Sequence, residues 1–480
     1  MLRTLMAAAS ALTLAACAVG PDYARPATAP VAAGKFSAAA SPAVDPLAPV
    51  EAHWWRLYDD PVLDGLIADA LAANTDVRQA VARLEKARAS LREVRTDRLP
   101  EVGVSGRTQY GRLPAFQSPQ GAGIEDWQVD VGASLNYEVD LFGRITRGIE
   151  AARGDVGAAE ADAEAVRVMV AAETARAYAD AAAAAERIAV ATRIVALLDR
   201  SLKLTSRRAE VGLTTNLDTA RIAALRNQRQ ADVPQLAAQR DAALFRLATL
   251  TGRAPAELPQ AAGVRTATLR LDKPIPVGDG AQLLARRPDV RAAERRLAAA
   301  TARIGVTTAD LYPKISLGAS VGSSGLGFGD VFGGGPLRWL LGPLINWSFT
   351  DQARVRARIA GAEADTRGAL AAFDGTVLTS LRDTETALSA YARGLDRRTA
   401  LKAARDSAEQ AARIVRAQQR EGTVDSLSLL DAERTFAEAE GQLAAIDADI
   451  ADAQINLFRA LGGGWQDAPP VRSAAIPKKG

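Results

Sequence analysis

The stretch Trp127-Gln128-Val129-Asp130-Val131-Gly132-Ala133-Ser134-Leu135-Asn136-Tyr137-Glu138-Val139-Asp140 alternates apolar or small residues with polar ones. Such alternation over about thirteen residues is typical of a β-strand whose two faces meet different surroundings. A tilted strand that spans a membrane needs about 9–11 residues, so this strand is long enough to do so. A half-buried sheet of a soluble protein would alternate in the same way, and the pattern alone leaves both interpretations open.

A second copy of this pattern lies further along the chain. Asn136-Tyr137 matches Asn346-Trp347 at an offset of 210, and Asp76-Val77-Arg78 matches Asp289-Val290-Arg291 at an offset of 213. Self-similarity at a nearly fixed spacing is the signature of an internal repeat. The chain is therefore predicted to be a duplicated unit, in which each copy contains a helix, two strands, a long helix and a further helix.

The segment after each pair of strands predicts a helix of unusual length. The first runs from about 144 to 208 and the second from about 352 to 419. At about 1.5 Å per residue, such a helix is roughly 90–100 Å long. Small and apolar residues separated by alternating steps of four and three form a coiled-coil seam in both helices. These residues are Thr174, Ala177, Ala181, Ala184, Ile188, Ala191, Val195, Leu198 and Leu202 in the first helix, and Val377, Leu381, Thr384, Leu388, Tyr391 and Leu395 in the second.

The repeat and the signals at the two termini predict the domain organisation. The expected segments are a lipoprotein signal peptide at 1–16, a lipidated N-terminal linker at 17–50, a first repeat at 51–255 with strands at about 100–113 and 126–140, an equatorial connector at 256–279, a second repeat at 280–463 with strands at about 313–323 and 337–350, and a C-terminal tail at 464–480. The first helices of the repeats are predicted at about 62–98 and 280–311, each ending before a proline.

Four strands per chain are too few to close a membrane sheet on itself. The smallest closed membrane barrels have about eight strands, and lipid-exposed sheet edges do not occur within the hydrocarbon region. If these strands enter lipid, further copies of the chain must complete the ring. Three copies would supply twelve strands.

Composition argues against most enzyme classes. The 480 residues carry a formal net charge of +3, which gives no sign of a nucleic-acid partner. His53 is the only histidine and Cys17 the only cysteine. A single histidine argues against a Ser-His-Asp triad and a multi-histidine metal site. A single cysteine excludes an internal disulfide and a Cys-rich zinc site. The sequence predicts no catalytic activity, no cofactor and no resident metal.

The N-terminus has the pattern of a secretory signal peptide. Arg3 precedes an apolar run that ends at Leu14-Ala15-Ala16-Cys17. This ending looks like a bacterial lipoprotein cleavage box, in which Cys17 becomes the lipidated first residue and Ala18 directs sorting to the outer membrane. In the alternative interpretation, Cys17 is only a small apolar residue of the signal segment.

Three stretches resemble the TolC-like outer-membrane factors, specifically the lipoprotein subfamily that serves resistance-nodulation-division (RND) efflux systems, also called NodT-type. Cys17-Ala18-Val19-Gly20-Pro21-Asp22-Tyr23 resembles the mature N-terminus of that subfamily. Trp54-Trp55-Arg56-Leu57-Tyr58-Asp59-Asp60-Pro61-Val62-Leu63 resembles the start of its first helix, and Arg287-Pro288-Asp289-Val290-Arg291 is similar to its marker at the second repeat.

The resemblance implies a mainly α fold with a membrane β-barrel portion. Long coiled-coil helices would form an α-barrel in the periplasm, and four strands per protomer would complete a 12-stranded barrel in a homotrimer. The chain would be the lipid-anchored outer-membrane channel subunit of a tripartite efflux pump, a passive duct that exports drugs or other toxic small molecules. A periplasmic adaptor and an inner-membrane RND transporter would be its partners.

The resemblance also implies functional positions. The turns expected to contact the adaptor contain Val211, Gly212 and Leu213 in the first repeat and Gly422 in the second, flanked by Glu421 and Thr423. The expected periplasmic gate involves Asp218, Asp431, Ser428 and Arg420, with Arg416 as a further candidate. Val424 and Gln419 occupy the positions where the family usually has the partners of Asp218. Trp127, Tyr137, Trp339 and Trp347 are expected at the membrane interface.

Two alternatives stay open at the level of sequence. One is a coiled-coil scaffolding lipoprotein of the cell envelope with no transport role. The other is a related duct for heavy-metal efflux or type I protein secretion, although the mature chain keeps only Met169 as a soft thioether ligand. The sequence does not identify the exported substrate, the cognate adaptor and pump, or how the gate closes.

Overall fold

The computed structural model describes residues 18–27, 30–39, 41–113, 123–325, 329, 331, 333, 337–347 and 349–466. The α-helices in these ranges are α1 (Pro61–Ala73), α2 (Thr75–Thr96), α3 (Arg144–Glu210), α4 (Asn216–Leu250), α5 (Gly280–Arg286), α6 (Pro288–Ala309), α7 (Gln352–Arg420) and α8 (Ser426–Ala460). The strands are β1 (Val44–Asp45), β2 (Glu101–Leu113), β3 (Ile124–Val139), β4 (Ile275–Pro276), β5 (Lys314–Gly325) and β6 (Leu337–Asn346). Signal residues 1–16, Cys17 and most of the predicted C-terminal tail lie outside the described residues.

The long strands form one antiparallel sheet in the order β2-β3-β5-β6. The two strands of each repeat are therefore adjacent, and β3 of the first repeat pairs with β5 of the second. Within the described residues, β2 and β6 pair on one side only, which leaves two open edges. The short strands β1 and β4 form a separate parallel ladder.

The first helix of each repeat is divided in two, where a single helix was predicted. Asn74 separates α1 from α2, because its side chain accepts hydrogen bonds from the backbone N–H of Asp76 (2.8 Å) and Val77 (3.3 Å) and so starts a new helix. Arg287 separates α5 from α6 with an extended backbone (φ −63°, ψ 121°). Its conformation follows from Pro288, since a residue before proline avoids the helical region.

The long helices α3 and α7 bury the predicted coiled-coil seams. Thr174, Ala177, Ala181, Ala184 and Leu198 of α3 are buried, as are Val377, Thr384, Leu388 and Tyr391 of α7. With 67 and 69 residues, the two helices each extend about 100 Å. No helix in the described part of the chain combines the length and low charge needed to cross a membrane.

The chain divides into two compact units. The first lies within Met1–Pro26, Arg83–Ala159 and Ala292–Asp374 and contains the sheet. The second lies within Ala27–Ala82, Glu160–Arg291 and Gly375–Gly480. Its apolar core is centred on Trp54, which is fully buried and stacks on Phe458 with 4.8 Å between the ring centroids. The aromatic stretch that begins at Trp54 is thus a core element, and His53 packs edge-on against Trp55.

The segment predicted as a linker is extended but packed against the rest of the protein. In the first unit, Val19 donates a backbone hydrogen bond to the carbonyl of Phe142 (3.1 Å), and Arg147 binds Asp22 (2.7 Å). In the second unit, Phe36 and Val44 are buried. These contacts could not be predicted from hydrophobic periodicity, because an irregular segment that packs on a surface has no regular spacing of apolar residues.

Candidate functional site

The sheet has one apolar and one polar face. Its register aligns exposed aliphatic and aromatic side chains of all four strands on the first face, namely Val102, Val104, Tyr110, Trp127, Val131, Leu317, Val321, Trp339, Leu341 and Ile345. The opposite face carries mostly glycine, serine and charged residues, together with Leu340 and Leu344 of β6. A continuous exposed apolar surface of this kind marks contact with lipid or with another apolar surface.

The four aromatic residues predicted for the membrane interface lie near strand ends. Trp127 is close to the start of β3 and contacts Tyr110 of β2, with 5.6 Å between the ring centroids. Trp339 is close to the start of β6 and is 75% exposed. Tyr137 lies near the end of β3, and Trp347 follows β6. Their position suits an aromatic belt, and their contact with a membrane interface stays a prediction.

The two helical turns predicted for adaptor contact have the same backbone geometry. Gly212 and Gly422 both have φ +76°, a conformation that is costly for any residue with a Cβ atom. In the first turn, the N–H of Leu213 bonds to the carbonyl of Arg208 (2.8 Å) and that of Gly212 to Ala209 (3.0 Å). This is a Schellman motif. The second turn repeats it, with N–H groups of Thr423 and Gly422 bonded to Gln418 and Gln419.

The structure brings these two turns together. The hydroxyl groups of Thr214 and Ser426 are 3.2 Å apart, and the guanidinium of Arg208 donates to the carbonyl of Gln419 (2.5 Å). Apolar side chains beside the turns point to solvent, with Val211 69% and Leu213 68% exposed. The pair of turns therefore presents apolar groups on an ordered backbone.

Asp218 and Ser428, two of the predicted gate residues, take part in helix capping. Asp218 accepts hydrogen bonds from the hydroxyl groups of Thr215 (2.7 Å) and Thr214 (2.9 Å), which lower its pKa. Thr215 and Asp218 form a reciprocal capping box at the start of α4. At the equivalent place in the second repeat, Asp425 caps α8 and accepts from the N–H of Ser428 (2.8 Å). Hydrogen bonds from the side chain and the N–H of Ser428 lower the pKa of Asp425.

The expected arginine partners of Asp218 are not beside it in the protomer. Arg416 instead makes a two-pronged ion pair with Glu433 (2.6 and 2.7 Å), and Arg420 donates to the carbonyl of Arg416 (3.4 Å). The sequence proposal that Arg416 or Arg420 replaces the usual partner is thus not realised within one chain, because Asp218 is already held by its own turn. Asp431 is exposed on α8.

Buried carboxylates on α8 form a site that the sequence analysis missed. Glu433 and Glu440 are 3% and 8% exposed. Glu440 binds Arg405 of α7 (3.0 Å) and Arg193 of α3 (3.1 Å), so it joins three helices. The signal for these residues was present as a seven-residue spacing of acidic side chains on α8, which Asp447 continues by pairing with Arg398 of α7.

The described residues offer no group of three or more His, Cys, Asp or Glu side chains that could hold a metal ion. Many of their arginines pair with carboxylates, some on the same helix and some on a neighbouring helix. The candidate site consists of surfaces: the apolar face of the sheet, its polar face, and the two ordered turns between the long helices.

Comparison with known proteins assigns these features to a family. The outer membrane efflux protein family matches residues 66–253 and 280–463, which correspond to the two repeats. The chain is 34% identical to outer membrane protein OprJ of Pseudomonas aeruginosa over 478 residues, covering 98% of this chain and 97% of OprJ. It is 30% identical to the toluene efflux pump outer membrane protein TtgF of Pseudomonas putida, with 96% of both chains covered.

Solved structures show the same relationship. The outer-membrane channel OprN superposes with a TM-score of 0.88 and 38% sequence identity, covering 94% of this chain and 100% of OprN. Together with the family match, this similarity confirms the predicted fold class and outer-membrane location. The chain belongs to the outer membrane efflux protein family and is an outer-membrane efflux channel.

Proposed function

We propose that three copies of this chain form a passive duct that carries toxic small molecules from the periplasm to the outside. The observation that carries this proposal is the two-faced sheet with open edges on β2 and β6. Unpaired backbone groups at such edges are very unfavourable in lipid, so each edge requires a partner strand. Pairing of β2 in one copy with β6 in the next closes the ring, and three copies give twelve strands around a polar interior.

Cross-linking between edge strands tests this assembly. Thr108→Cys on β2 is combined in turn with Trp339→Cys, Leu341→Cys or Ile345→Cys on β6. Three β6 positions are tested because the strand register between copies determines which of them lies opposite residue 108. Oxidation in outer membranes is expected to give a ladder of bands that ends at three chains. Ala133→Cys on the inner strand β3 replaces Thr108→Cys as the control and should give no ladder. A purified protein that stays monomeric in lipid, with its sheet outside the bilayer, would refute the proposal.

The duct has no energy source of its own in this proposal. A periplasmic adaptor and an inner-membrane RND transporter supply energy and selection. The exposed side chains of Val211 and Leu213 support adaptor contact at the first turn, since apolar groups on an ordered backbone suit a protein interface. The turn at Gly422 is flanked by the polar residues Glu421 and Thr423, and we assign it the weaker contact.

Efflux measurements test both the export and the adaptor contact. Deletion of the gene is expected to raise the accumulation of toluene or a fluorescent drug in cells without a redundant channel, and the intact gene should restore export. The double variant Val211→Asp/Leu213→Asp should be expressed normally but fail to restore export. Val264→Asp changes another exposed apolar residue (71%) outside the turns and serves as the matched control.

The gate is placed at the same turns in this proposal. Asp431 and Arg420 carry charge there, while Asp218 and Ser428 hold the first turns of α4 and α8 in place. The proposed substrates, drugs and other toxic organic compounds, agree with the naming of the relative TtgF for toluene efflux.

Lipid anchoring at Cys17 completes the proposal. The N–H of Val19 donates to the carbonyl of Phe142 just after β3 (3.1 Å), and a Cβ atom on Gly20 would be only 2.5 Å from the Cα atom of Gly305 in α6. Such close packing fixes the start of the mature chain near the sheet. Mass spectrometry of the purified N-terminal peptide should show acyl chains on Cys17, and unmodified Cys17 would refute the anchor without affecting the duct.

A further inference from the structure

The polar face of the sheet is lined mainly by the smallest side chains. Strand register places glycine and serine in adjacent rows across β2, β3 and β5, namely Gly103, Ser105, Gly132, Ser134, Gly318, Ser320, Gly322 and Ser324. Among them lies a charged row of Arg107, Asp130 and Arg338, here called the arginine–aspartate row. The charged ends of these three side chains extend beyond the glycine and serine residues beside them.

Asp130 is the centre of the row. It lies directly opposite Arg107 of β2 and Ser324 of β5. The hydroxyl of Ser324 donates to its carboxylate (3.0 Å), and one guanidinium nitrogen of Arg338 lies 2.7 Å from each carboxylate oxygen.

Arg338 reaches Asp130 from two strands away. It belongs to β6 and is paired with Gly322 of β5, so its side chain crosses β5 to meet β3. A Cβ atom on Gly322 would lie 2.8 Å from the carbonyl oxygen of Val131 and 3.5 Å from Nε of Arg338. Because residue 322 is a glycine, no side chain on β5 obstructs the guanidinium of Arg338 as it crosses to Asp130.

The ion pair contributes little to stability. Its arginine and aspartate side chains are 63% and 40% exposed, and exposed pairs of this kind stabilise by about 1 kcal/mol at most. Backbone pairing already joins β3, β5 and β6 along their lengths. The consequence of the row is therefore electrostatic, because its two arginines and one aspartate leave one positive charge in excess. The rest of the same face carries Glu101, Asp126 and Glu138 against Lys314, so the row offsets part of an acidic surface.

We propose that the arginine–aspartate row offsets the acidic residues of the polar face and so lowers the preference of the channel for cations over anions. The inference rests on the proposed function, in which the polar face lines the duct and the row occurs once per protomer around it. Rings of charged side chains select ions by sign in channels. Asp130 limits the effect by cancelling Arg338, and Arg107 supplies the excess charge.

Reversal potentials in planar bilayers under a KCl gradient test this inference. Salt near 0.01 M is used because the screening length is then about 30 Å. Arg338→Gln is expected to raise the potassium-to-chloride permeability ratio by about two-fold, and Asp130→Asn to lower it by about two-fold, since each changes one charge per protomer. The double variant keeps the charge excess and should return to the original ratio. At about 1 M salt, where the screening length is about 3 Å, the shifts should vanish.

Two further variants separate charge from structure. Arg338→Lys keeps the charge and should keep the original ratio, although the guanidinium group that spans β5 to reach Asp130 is lost. Arg112→Gln removes an equal charge, but register aligns Arg112 and its partner Glu125 with the apolar face, so no shift is expected. Conducting channels whose ratio is unchanged in Arg338→Gln and Asp130→Asn would overturn the inference alone. Absence of any channel from the unaltered protein would refute the proposed function and this inference with it.

Discussion

At the scale of single residues, Asn74 and Arg287 occupy equivalent positions of the repeat and cap equivalent helix ends. The side-chain amide of Asn74 donates to the carbonyl of Leu250 at the end of α4 (3.0 Å). Arg287 donates to the carbonyl of Ala460 at the end of α8 (2.9 Å). Both satisfy carbonyl groups that a helix end leaves unpaired. Duplication has thus kept the contact while replacing a neutral donor with a charged one.

Arg287→Ala is expected to destabilise the protein by about 1.5–3 kcal/mol, the range for hydrogen bonds that involve a charged group. The substitution leaves the carbonyl of Ala460 without this donor and Asp289 without its 2.6 Å ion pair. Arg287→Lys should lose less, because it keeps a cation near the helix C-terminus. Denaturant unfolding in detergent, followed by tryptophan fluorescence, measures the difference. Equal stability of Arg287→Ala and the unaltered protein would show that the cap is dispensable.

Asp218 has a capping role that residue-level inference from sequence missed. The resemblance places it in a closing network, which stays a prediction, and the structure in addition holds it in a capping box with Thr215. The spacing Thr-x-x-Asp before a helix was itself a capping signal. A short polar side chain beside a turn accepts hydrogen bonds from the nearest donors. A family resemblance does not show whether such local donors or a partner on another helix will bind it.

At the scale of elements, α7 and α8 are held in register by paired polar residues. Tyr391 contacts Gln454 (3.2 Å), Arg398 pairs with Asp447, and Arg405 pairs with Glu440 (3.0 Å). The partners advance by seven residues in opposite directions, as expected for an antiparallel coiled coil. A slip of one turn would separate every pair at once, so the polar residues specify one alignment of two otherwise alanine-rich helices.

Arg416→Ala is expected to cost about 3–5 kcal/mol, because it leaves Glu433 as a buried carboxylate without its arginine. Arg416→Met combined with Glu433→Leu should recover much of this loss, since it removes both charges. The matched control is Arg393→Ala on the same helix. Its partner Asp396 is 70% exposed and Arg393 itself 82%, so a change below about 1 kcal/mol is expected. Equal effects of Arg416→Ala and Arg393→Ala in thermal unfolding would contradict a buried, essential pair.

Periodicity predicted the long elements well and the short interruptions poorly. The helix expected at about 144–208 is Arg144–Glu210, and the strand at about 126–140 is Ile124–Val139. Both have patterns that repeat over many residues. The breaks at Asn74 and Arg287 escaped the analysis because each depends on one local contact or one following proline. The partner of each buried glutamate on α8 also escaped it, since spacing along one helix does not show which helix lies opposite.

At the scale of the whole molecule, the two faces and two edges of the sheet imply that the protein is incomplete as a single chain. Its apolar face exposes Trp339 by 75% and Val104 by 82%. These areas are costly in water and favourable in lipid. The open edges have the opposite requirement, because they need hydrogen-bond partners once water is absent. Only association with further strands satisfies both demands, and identical neighbours offer the complementary edges β2 and β6.

Asp431→Ala is expected to weaken the block of the channel by multivalent cations. Asp431 is exposed on α8, one turn before Arg434, whose pKa is raised by its hydrogen bond to Glu438 and, to a smaller extent, by the charge of Asp431. Arg434 itself makes its ion pair with Glu438 (2.9 Å). In a trimer, three copies of Asp431 around one axis would bind a trivalent cation jointly. Loss of such a site should raise the blocking concentration by about ten-fold, equivalent to about 1.4 kcal/mol.

The measurement is planar-bilayer conductance with stepped concentrations of a trivalent cation. Asp396→Ala is the matched control, because it removes an aspartate that is also exposed but lies on α7, 24 residues before the end of that helix at Arg420 and so far from the turns. Its block should equal that of the unaltered channel, since a charge outside the narrowest part of the duct is screened within about 10 Å at 0.1 M salt. If Asp431→Ala and Asp396→Ala are blocked alike, the acidic ring lies elsewhere and Asp431 is only a solvated residue of α8.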